Sequence, residues 1–132
     1  MPLWQNTTFR RKLNLKPMAF TKEQIKEIDK AAASYLYYER PPLEIRNKLD
    51  LGYRMEGQSV YLFEIKPRWD KPEEKQETPI AKTTYIKSQN LWKIYWMRGN
   101  LKWVHYEPVP YVKDISDFFD LVAEDALSCF FG

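Results

Sequence analysis

Residues 91–108 read LWKIYWMRGNLKWVHYEP, and this stretch decides the fold. Side chains alternate in character over residues 91–97 and again over residues 101–107, which is typical of β-strands. Arg98, Gly99 and Asn100 lie between the two segments, and glycine and asparagine tolerate the positive φ that a short hairpin turn requires. The stretch therefore predicts a β-hairpin.

The two faces of this hairpin have similar compositions. On the first strand, Trp92, Ile94 and Trp96 alternate with a face that carries Lys93 and Tyr95. A sheet with one solvated face normally shows a clean alternation of apolar and polar residues. We therefore expect both faces of the hairpin to contact other groups.

A helix precedes the strands. Thr21 and Gln24 form a capping-box pattern, which predicts that the helix begins there. Pro41 and Pro42 disfavour helical geometry in the residues before them, so we expect the helix to end near Arg40. Prolines suit the first turn of a helix, and they predict a short second helix here. The expected buried stripe of the first helix is Ile25, Ile28, Ala32, Tyr35 and Leu36, and the expected anchors of the second are Leu43 and Ile45.

Three further strands and a last helix complete the pattern. Residues 51–56, 59–66 and 80–87 are predicted strands, and residues 67–79 are predicted to form a charged, proline-rich mobile loop. Short links between successive strands favour an antiparallel meander. We therefore predict one α+β domain with a five-stranded antiparallel meander, its helices covering one face. The last helix is expected to begin at Asp114 or Ser116 and to bury Ile115, Phe118, Phe119 and Val122.

Composition limits the class of protein. At 132 residues, with 44% hydrophobic and 16% aromatic residues, the chain is expected to be one domain with a substantial core. It contains no apolar run of about 18 residues and no apolar N-terminal segment, so we expect neither a membrane span nor a secretory signal. The single cysteine, Cys129, is typical of a reducing cytoplasm and excludes a cysteine-based zinc site. We expect a cytoplasmic protein with no cofactor, no bound metal and no membrane partner.

Charge is unevenly distributed along the chain. Residues 1–17 carry four basic residues and no acid, and we expect them to form a basic flexible arm or an upstream extension of a domain at residues 18–132. Residues 80–107 carry five basic residues and one acid, whereas residues 108–132 carry one basic residue and five acids. The late strands are therefore basic and the C-terminal end is acidic, although the net charge is only +3.

Several segments together carry a family resemblance. They are RPP at 40–42, LGYR at 51–54, GQSVYLFEIKPRW at 57–69, AKTTYIK at 81–87, WKIYWMR at 92–98, LKW at 101–103 and CFFG at 129–132. With these segments, residues 18–132 resemble the uncharacterised bacterial domain-of-unknown-function family 3024. The resemblance implies a small intracellular bacterial protein and no particular activity. Two positions depart from the family pattern: Lys66 stands where arginine is usual, and Asn100 where an acid is usual.

The first functional hypothesis is a nuclease-like magnesium site. Asp50, followed by Glu64 and Lys66, has the outline of a pattern in which two carboxylates hold Mg²⁺ and lysine activates water. If arginine normally occupies position 66, that lysine role fails, because arginine stays protonated. The competing interpretation is an ion-pair ladder in which Glu64 pairs with Arg54 or Arg68 across the sheet.

The second hypothesis is a nucleic-acid-binding sheet. Bases stack on exposed aromatic rings while nearby cations contact phosphates, an arrangement that suits RNA and other single strands. In the late strands, aromatic residues, Tyr95 and Tyr106 among them, alternate with basic residues. The competing interpretation is that many of these aromatic rings pack in the core. The predicted binding surface is Arg68, Trp69, Lys82, Tyr85, Lys87, Trp92, Lys93, Trp96, Arg98, Lys102, Trp103 and His105.

The third hypothesis is a protein-interaction module or a homodimer. The predicted sheet is amphipathic on neither face, and the chain has an apolar segment at residues 129–132. Both features are typical of a protein that buries apolar surface against a partner. The alternative is that Phe130 and Phe131 fold back into the domain. Weighing the three, we predict a non-enzymatic binding module that uses the sheet of residues 80–107 to bind nucleic acid or a protein partner.

Overall fold

The computed structural model describes residues 18–125 and 129–130, which form an α+β fold. The elements in chain order are α1 (Lys22–Glu39), β1 (Asp50–Glu56), β2 (Ser59–Pro67), β3 (Lys75–Ile86), β4 (Leu91–Met97), β5 (Trp103–His105), β6 (Tyr111–Val112) and α2 (Ile115–Glu124). Strands β1 to β5 are neighbours in sequence order and all pair antiparallel, which confirms the predicted meander. The short strand β6 also pairs with β4. The predicted N-terminal arm, residues 1–17, lies outside the described residues.

The ends of α1 follow the sequence signals. The Thr21 side chain accepts from the Gln24 amide at 3.1 Å, and the Gln24 side chain accepts from the Thr21 amide at 2.9 Å. These two bonds satisfy N–H groups that the first turn of a helix leaves without intrahelical partners. The helix ends at Glu39, with Arg40 already extended ahead of the two prolines. Both predicted boundaries are confirmed.

The core lies between one face of the sheet and the two helices. The last helix buries its whole predicted stripe, and α1 buries the middle of its own, with Ile25 and Leu36 only partly buried at the edge of the core. Burial of apolar area is the main force that fixes a helix on a sheet. The core residues are Ile28, Ala32 and Tyr35 of α1, Ile115, Phe118, Phe119 and Val122 of α2, and Leu51, Tyr53, Met55, Val60, Leu62, Ile80, Ala81, Trp92, Ile94, Tyr106 and Phe130 elsewhere.

The predicted short second helix is wrong. Residues 43–48 form consecutive turns, with bonds such as the Ile45 amide to the Pro42 carbonyl at 2.9 Å. The expected anchors, Leu43 and Ile45, are exposed. A short helix depends on burial of an apolar face, and the apolar side chains of this segment are not buried against the rest of the domain.

The loop between β2 and β3 is shorter than predicted. Strand β3 begins at Lys75, opposite Pro67, so only residues 68–74 connect the two strands. Pro79 is accommodated inside β3 because the pairing shifts register between Leu62 and Phe63, which is where a strand tolerates proline.

The β4–β5 turn uses a different residue for its positive φ than predicted. Leu101 has φ of 63°, whereas Gly99 and Asn100 do not adopt the left-handed conformation. The Asn100 side chain instead accepts from the Lys102 amide at 3.1 Å. Asparagine side chains bond to their own backbone two residues on, and here that bond closes the turn.

Candidate binding surface

A row of five side chains crosses the face of the sheet that the helices leave open. The pairing register aligns them strand by strand, and they are Arg54, Tyr61, Lys82, Tyr95 and His105. Directly opposite residues share a face, and the next residue on each strand points to the other face. The adjacent residues Met55, Val60, Thr83 and Ile94 are fully buried on the helix side. The row therefore lies on the face opposite the helices.

The centre of this row is a lysine surrounded by aromatic rings. The Nζ of Lys82 lies 4.5 Å from the ring centroid of Tyr95, 5.0 Å from that of Trp103 and 5.8 Å from that of Tyr61. Ammonium groups within about 6 Å of an aromatic face are attracted by the ring quadrupole. The three rings therefore hold the ammonium group above the middle of the sheet.

A second lysine extends the pattern along β4. The Nζ of Lys93 lies 5.7 Å from the ring centroid of Tyr95 and 6.0 Å from that of Tyr111. His105 contacts Tyr95 edge to face, with centroids 5.2 Å apart. Together these groups form a continuous patch, which we name the lysine–aromatic surface. Its members are Tyr61, Lys82, Lys93, Tyr95, Trp103, His105 and Tyr111.

Burial changes the titration of two groups in this patch. It lowers the pKa of Lys82, because the charged ammonium loses water, and nearby Glu56 partly offsets this change. Burial also raises the pKa of Tyr61, and Glu56 raises it further. Among the described residues, neither Lys82 nor Lys93 forms an ion pair.

The β1 side of the same face is charge-paired. Arg54 lies 3.7 Å from a Glu56 oxygen and 3.6 Å from a Glu77 oxygen, and its guanidinium covers the rings of Tyr61 and Phe63. Burial raises the pKa of Glu77, and Arg54 opposes that rise. The unpaired positive charge of the face is thus confined to β3 and β4.

Three predicted surface residues lie on the helix side. Trp92 is buried in the core, and Tyr85 and Trp96 pack against it. Trp92 contacts Phe20 and Tyr85, with ring centroids 5.7 Å and 5.0 Å away. The surface position predicted for Trp92 is therefore wrong, whereas Tyr85 and Trp96 are only half-buried. Alternation assigns Trp92 and Trp96 to the same face but does not say which face the helices cover.

Other predicted surface residues lie at the ends of the sheet. Lys87, Arg98 and Lys102 are exposed in the two turns that flank β4. Arg68 is paired with Asp70 and Glu74 in the β2–β3 turn, where Trp69 is 91% exposed. None of these side chains belongs to the lysine–aromatic surface.

Sequence reasoning missed Arg54, Tyr61 and Tyr111 as parts of this face. A signal for the first two was present, because the two-residue turn at Gly57 and Gln58 fixes the register that sets Arg54 opposite Tyr61. The pairing of β6 with β4, which brings in Tyr111, joins segments separated by other structure. No local sequence pattern predicts the pairing of β6 with β4.

The structure separates the residues of the nuclease hypothesis. Asp50 pairs with Ile65 in the register, so it lies on the opposite face from Glu64 and Lys66. Arg40 donates two hydrogen bonds to the Asp50 carboxylate at 2.7 and 2.8 Å, which lowers the pKa of that carboxyl. Lys66 lies 3.7 Å from Glu64, so Glu64 pairs with neither Arg54 nor Arg68 as the ladder interpretation expected.

The acidic and apolar features near the C-terminus also have defined positions. Phe130 is buried against Tyr106, with centroids 5.0 Å apart, and its amide donates to Asp125 at 2.9 Å. Cys129 is half-buried beside the core. Phe131 lies outside the described residues. In the described part of the chain, no group of three or more acidic, histidine or cysteine side chains could hold a metal ion.

The fold and this surface define a class: an α+β protein whose antiparallel sheet carries two helices on one face and a lysine–aromatic surface on the other. The chain belongs to the family described as Domain of unknown function (DUF3024), whose model matches residues 20–132. This match confirms the resemblance seen in the sequence. No curated protein and no solved structure matches the chain. Within residues 18–125, neither helix combines the length and apolar character needed to cross a membrane.

Proposed function

We propose that this protein is a non-enzymatic binding module of the cytoplasm that binds single-stranded nucleic acid through the lysine–aromatic surface. The observation that carries the proposal is the position of Lys82 and Lys93 over aromatic rings on the helix-free face, where neither pairs with a carboxylate of residues 18–125. The single cysteine supports the cytoplasmic location.

The chemistry of single strands matches this arrangement. Unstacked bases bind to aromatic faces, with about 1–3 kcal/mol per base, while cations follow the phosphates. Tyr95, Trp103 and Tyr111 offer rings at separations set by neighbouring strands of the sheet. Bases inside a duplex are already stacked on each other, so RNA or DNA with unpaired bases is the favoured ligand.

The alternative is a protein partner, including a second copy of the chain, bound to the same face. Tyrosine, tryptophan and arginine contribute most to protein interfaces, and Arg54, Tyr61 and Trp103 lie together here. Salt separates the two alternatives, because phosphate binding weakens steeply as salt rises. A partly apolar protein interface is much less sensitive. No observation favours a reaction at Asp50, Glu64 and Lys66.

The test is fluorescence anisotropy of the full chain with labelled single-stranded RNA and DNA of about 12 nucleotides. The variant Lys82→Gln/Lys93→Gln removes two charges from the proposed surface. Its control, Lys26→Gln/Lys87→Gln, removes two exposed charges elsewhere and keeps the same net charge. On single strands each lost phosphate contact reduces the log–log salt slope by about 0.7, so the surface variant should lose about 1.4 and the control nothing.

Stacking is tested separately. Trp103→Ala should raise the Kd by a factor of about 5–150, which corresponds to one lost base stack. Tyr37→Ala, which removes an exposed ring on α1, should leave the Kd unchanged. Circular dichroism of each variant checks that it is folded. Equal salt slopes in the two lysine variants, or no binding of any single strand, would overturn the proposal.

A further inference from the structure

A cavity of about 620 Å³ lies on the helix side of the sheet, away from the lysine–aromatic surface. It is half open to solvent and is bounded by α1, by the β3–β4 turn and by the residues that lead into α2. Ala31 and Ser34 of α1 and Ser116 of α2 face it with small side chains, so neither helix fills it. Small-molecule sites have volumes of about 300–1,000 Å³, and this cavity lies within that range.

One wall of the cavity is aromatic. Tyr85 is half-buried there and packs against Trp92 at a centroid distance of 5.0 Å, with the two rings tilted by 51°. The Tyr85 hydroxyl donates to the Asn90 side-chain oxygen at 2.6 Å, which leaves the Asn90 NH₂ group as a fixed donor at the cavity. A flat ring with polar edges could stack on Tyr85 and bond to this amide, since side-chain amides bind the edges of nucleobases.

Four charged side chains also line the cavity. Lys30 and Lys113 contribute two cations, and Glu27 and Asp114 two carboxylates. Within the described residues none of these four forms an ion pair. Lysine is a common binder of phosphate, and carboxylates accept hydrogen bonds from ribose hydroxyls.

We propose that this cavity binds a mononucleotide. The base stacks on Tyr85 with its edge at Asn90, the phosphate contacts Lys30 or Lys113, and the ribose hydroxyls bond to Glu27 or Asp114. A free anion would use only the lysines, and an apolar ligand would use none of the four charged side chains. This site is separate from the lysine–aromatic surface and does not depend on the function proposed for it.

The experiment is isothermal titration calorimetry of the full chain with AMP, GMP, CMP and UMP, and with inorganic phosphate and ribose 5-phosphate. Ser34→Phe places a ring in the cavity, and Ala33→Phe places the same ring on an exposed position of α1 that does not line it. Lys113→Gln removes one cation, and its control, Lys102→Gln, removes an exposed cation in the β4–β5 turn that does not line the cavity. Lys30→Gln serves in addition if Ser34→Phe is not folded by circular dichroism.

At least one nucleotide should bind more tightly than phosphate or ribose 5-phosphate. Ser34→Phe should abolish that binding and Ala33→Phe should not, while Lys113→Gln or Lys30→Gln should weaken it about tenfold. The proposal is overturned if no nucleotide binds at millimolar concentration, or if phosphate binds as tightly as any nucleotide. It is also overturned if binding survives Ser34→Phe, or if Lys82→Gln/Lys93→Gln weakens it as much as the cavity variants do, which would place the nucleotide on the sheet face.

Discussion

We expect Asp50→Asn to lower the free energy of unfolding by about 1–2 kcal/mol at pH 7. Arg40 donates two hydrogen bonds to Asp50 at 2.7 and 2.8 Å, joining the end of α1 to the start of β1. Bonds to charged groups are worth about 1.5–3 kcal/mol when their loss leaves a buried partner unsatisfied. The Asp50 side chain is only 15% exposed, but Arg40 is 40% exposed and can return to water, which reduces the cost.

A second ion pair in the same protein provides the control. Arg68 binds Asp70 with similar geometry, at 2.7 and 3.0 Å, but both side chains are 38% exposed. Solvent screens such a pair, so Asp70→Asn should change stability by less than about 0.5 kcal/mol. Urea unfolding followed by tryptophan fluorescence measures both variants against the wild type.

The pH dependence of the Asp50 effect has a definite sign. Hydrogen bonds from Arg40 lower the pKa of Asp50 in the folded state. A carboxyl group with a lowered folded pKa contributes stability that is present above its unfolded pKa and is lost as pH falls through the folded pKa. The difference between wild type and Asp50→Asn should therefore shrink below about pH 4.

Two results would refute this reasoning. If Asp50→Asn and Asp70→Asn cost the same, burial does not distinguish the two pairs. If Asp50→Asn is more stable than the wild type at pH 7, the ionised Asp50 carboxylate destabilises the fold and is not a structural partner of Arg40. Such electrostatic destabilisation is expected of carboxylates placed together to bind a metal ion.

Three further predictions concern single positions. Gly52→Ala should lower the free energy of unfolding in urea by about 1–3 kcal/mol, because its Cβ would lie 2.7 Å from Cε2 of the buried Phe63 ring. Gly99→Ala, at a position with open space around it, should leave that free energy unchanged. Thr21→Ala should lower the free energy of unfolding by about 0.5–2 kcal/mol in the same assay, because the helix loses its cap. Thr21→Ser should keep most of that stability, and equal losses in both variants would contradict the capping role. NMR titration of ¹³C-methylated lysines should give Lys82 a pKa below the ordinary lysine value, because burial penalises its charge; a pKa at or above that value would show that the rings and Glu56 outweigh burial.

Much of the fold could be predicted because its signals are local. The Thr21–Gln24 box marks the start of α1 through bonds between residues three apart, and Pro41 fixes its end. The short links between successive strands are also a local signal, and they favour the antiparallel meander. The short second helix failed because its stability would have needed burial of Leu43 and Ile45, which no local pattern guarantees.

The candidate site could be predicted only in part. Sequence alternation correctly separates Lys93 and Tyr95 from Trp92 and Ile94, and it places Lys82 within a basic, aromatic stretch. It cannot choose which set faces the helices, because both sets contain large apolar or aromatic side chains. Packing of the helices against one face of the sheet buries Trp92 in the core and leaves Lys93 on the open face.

Local signals were enough to predict the class of fold, the boundaries of α1 and the order of β1 to β5, since each depends on groups a few residues apart. Which face of the sheet is open, and the meeting of rings from β2, β4 and β5 around Lys82, follow only from tertiary packing. These features depend on register and on helix packing between distant segments. Where no short turn joins two strands, as between β6 and β4, many cross-strand contacts together fix the register, and a shift of one residue would reverse every side chain.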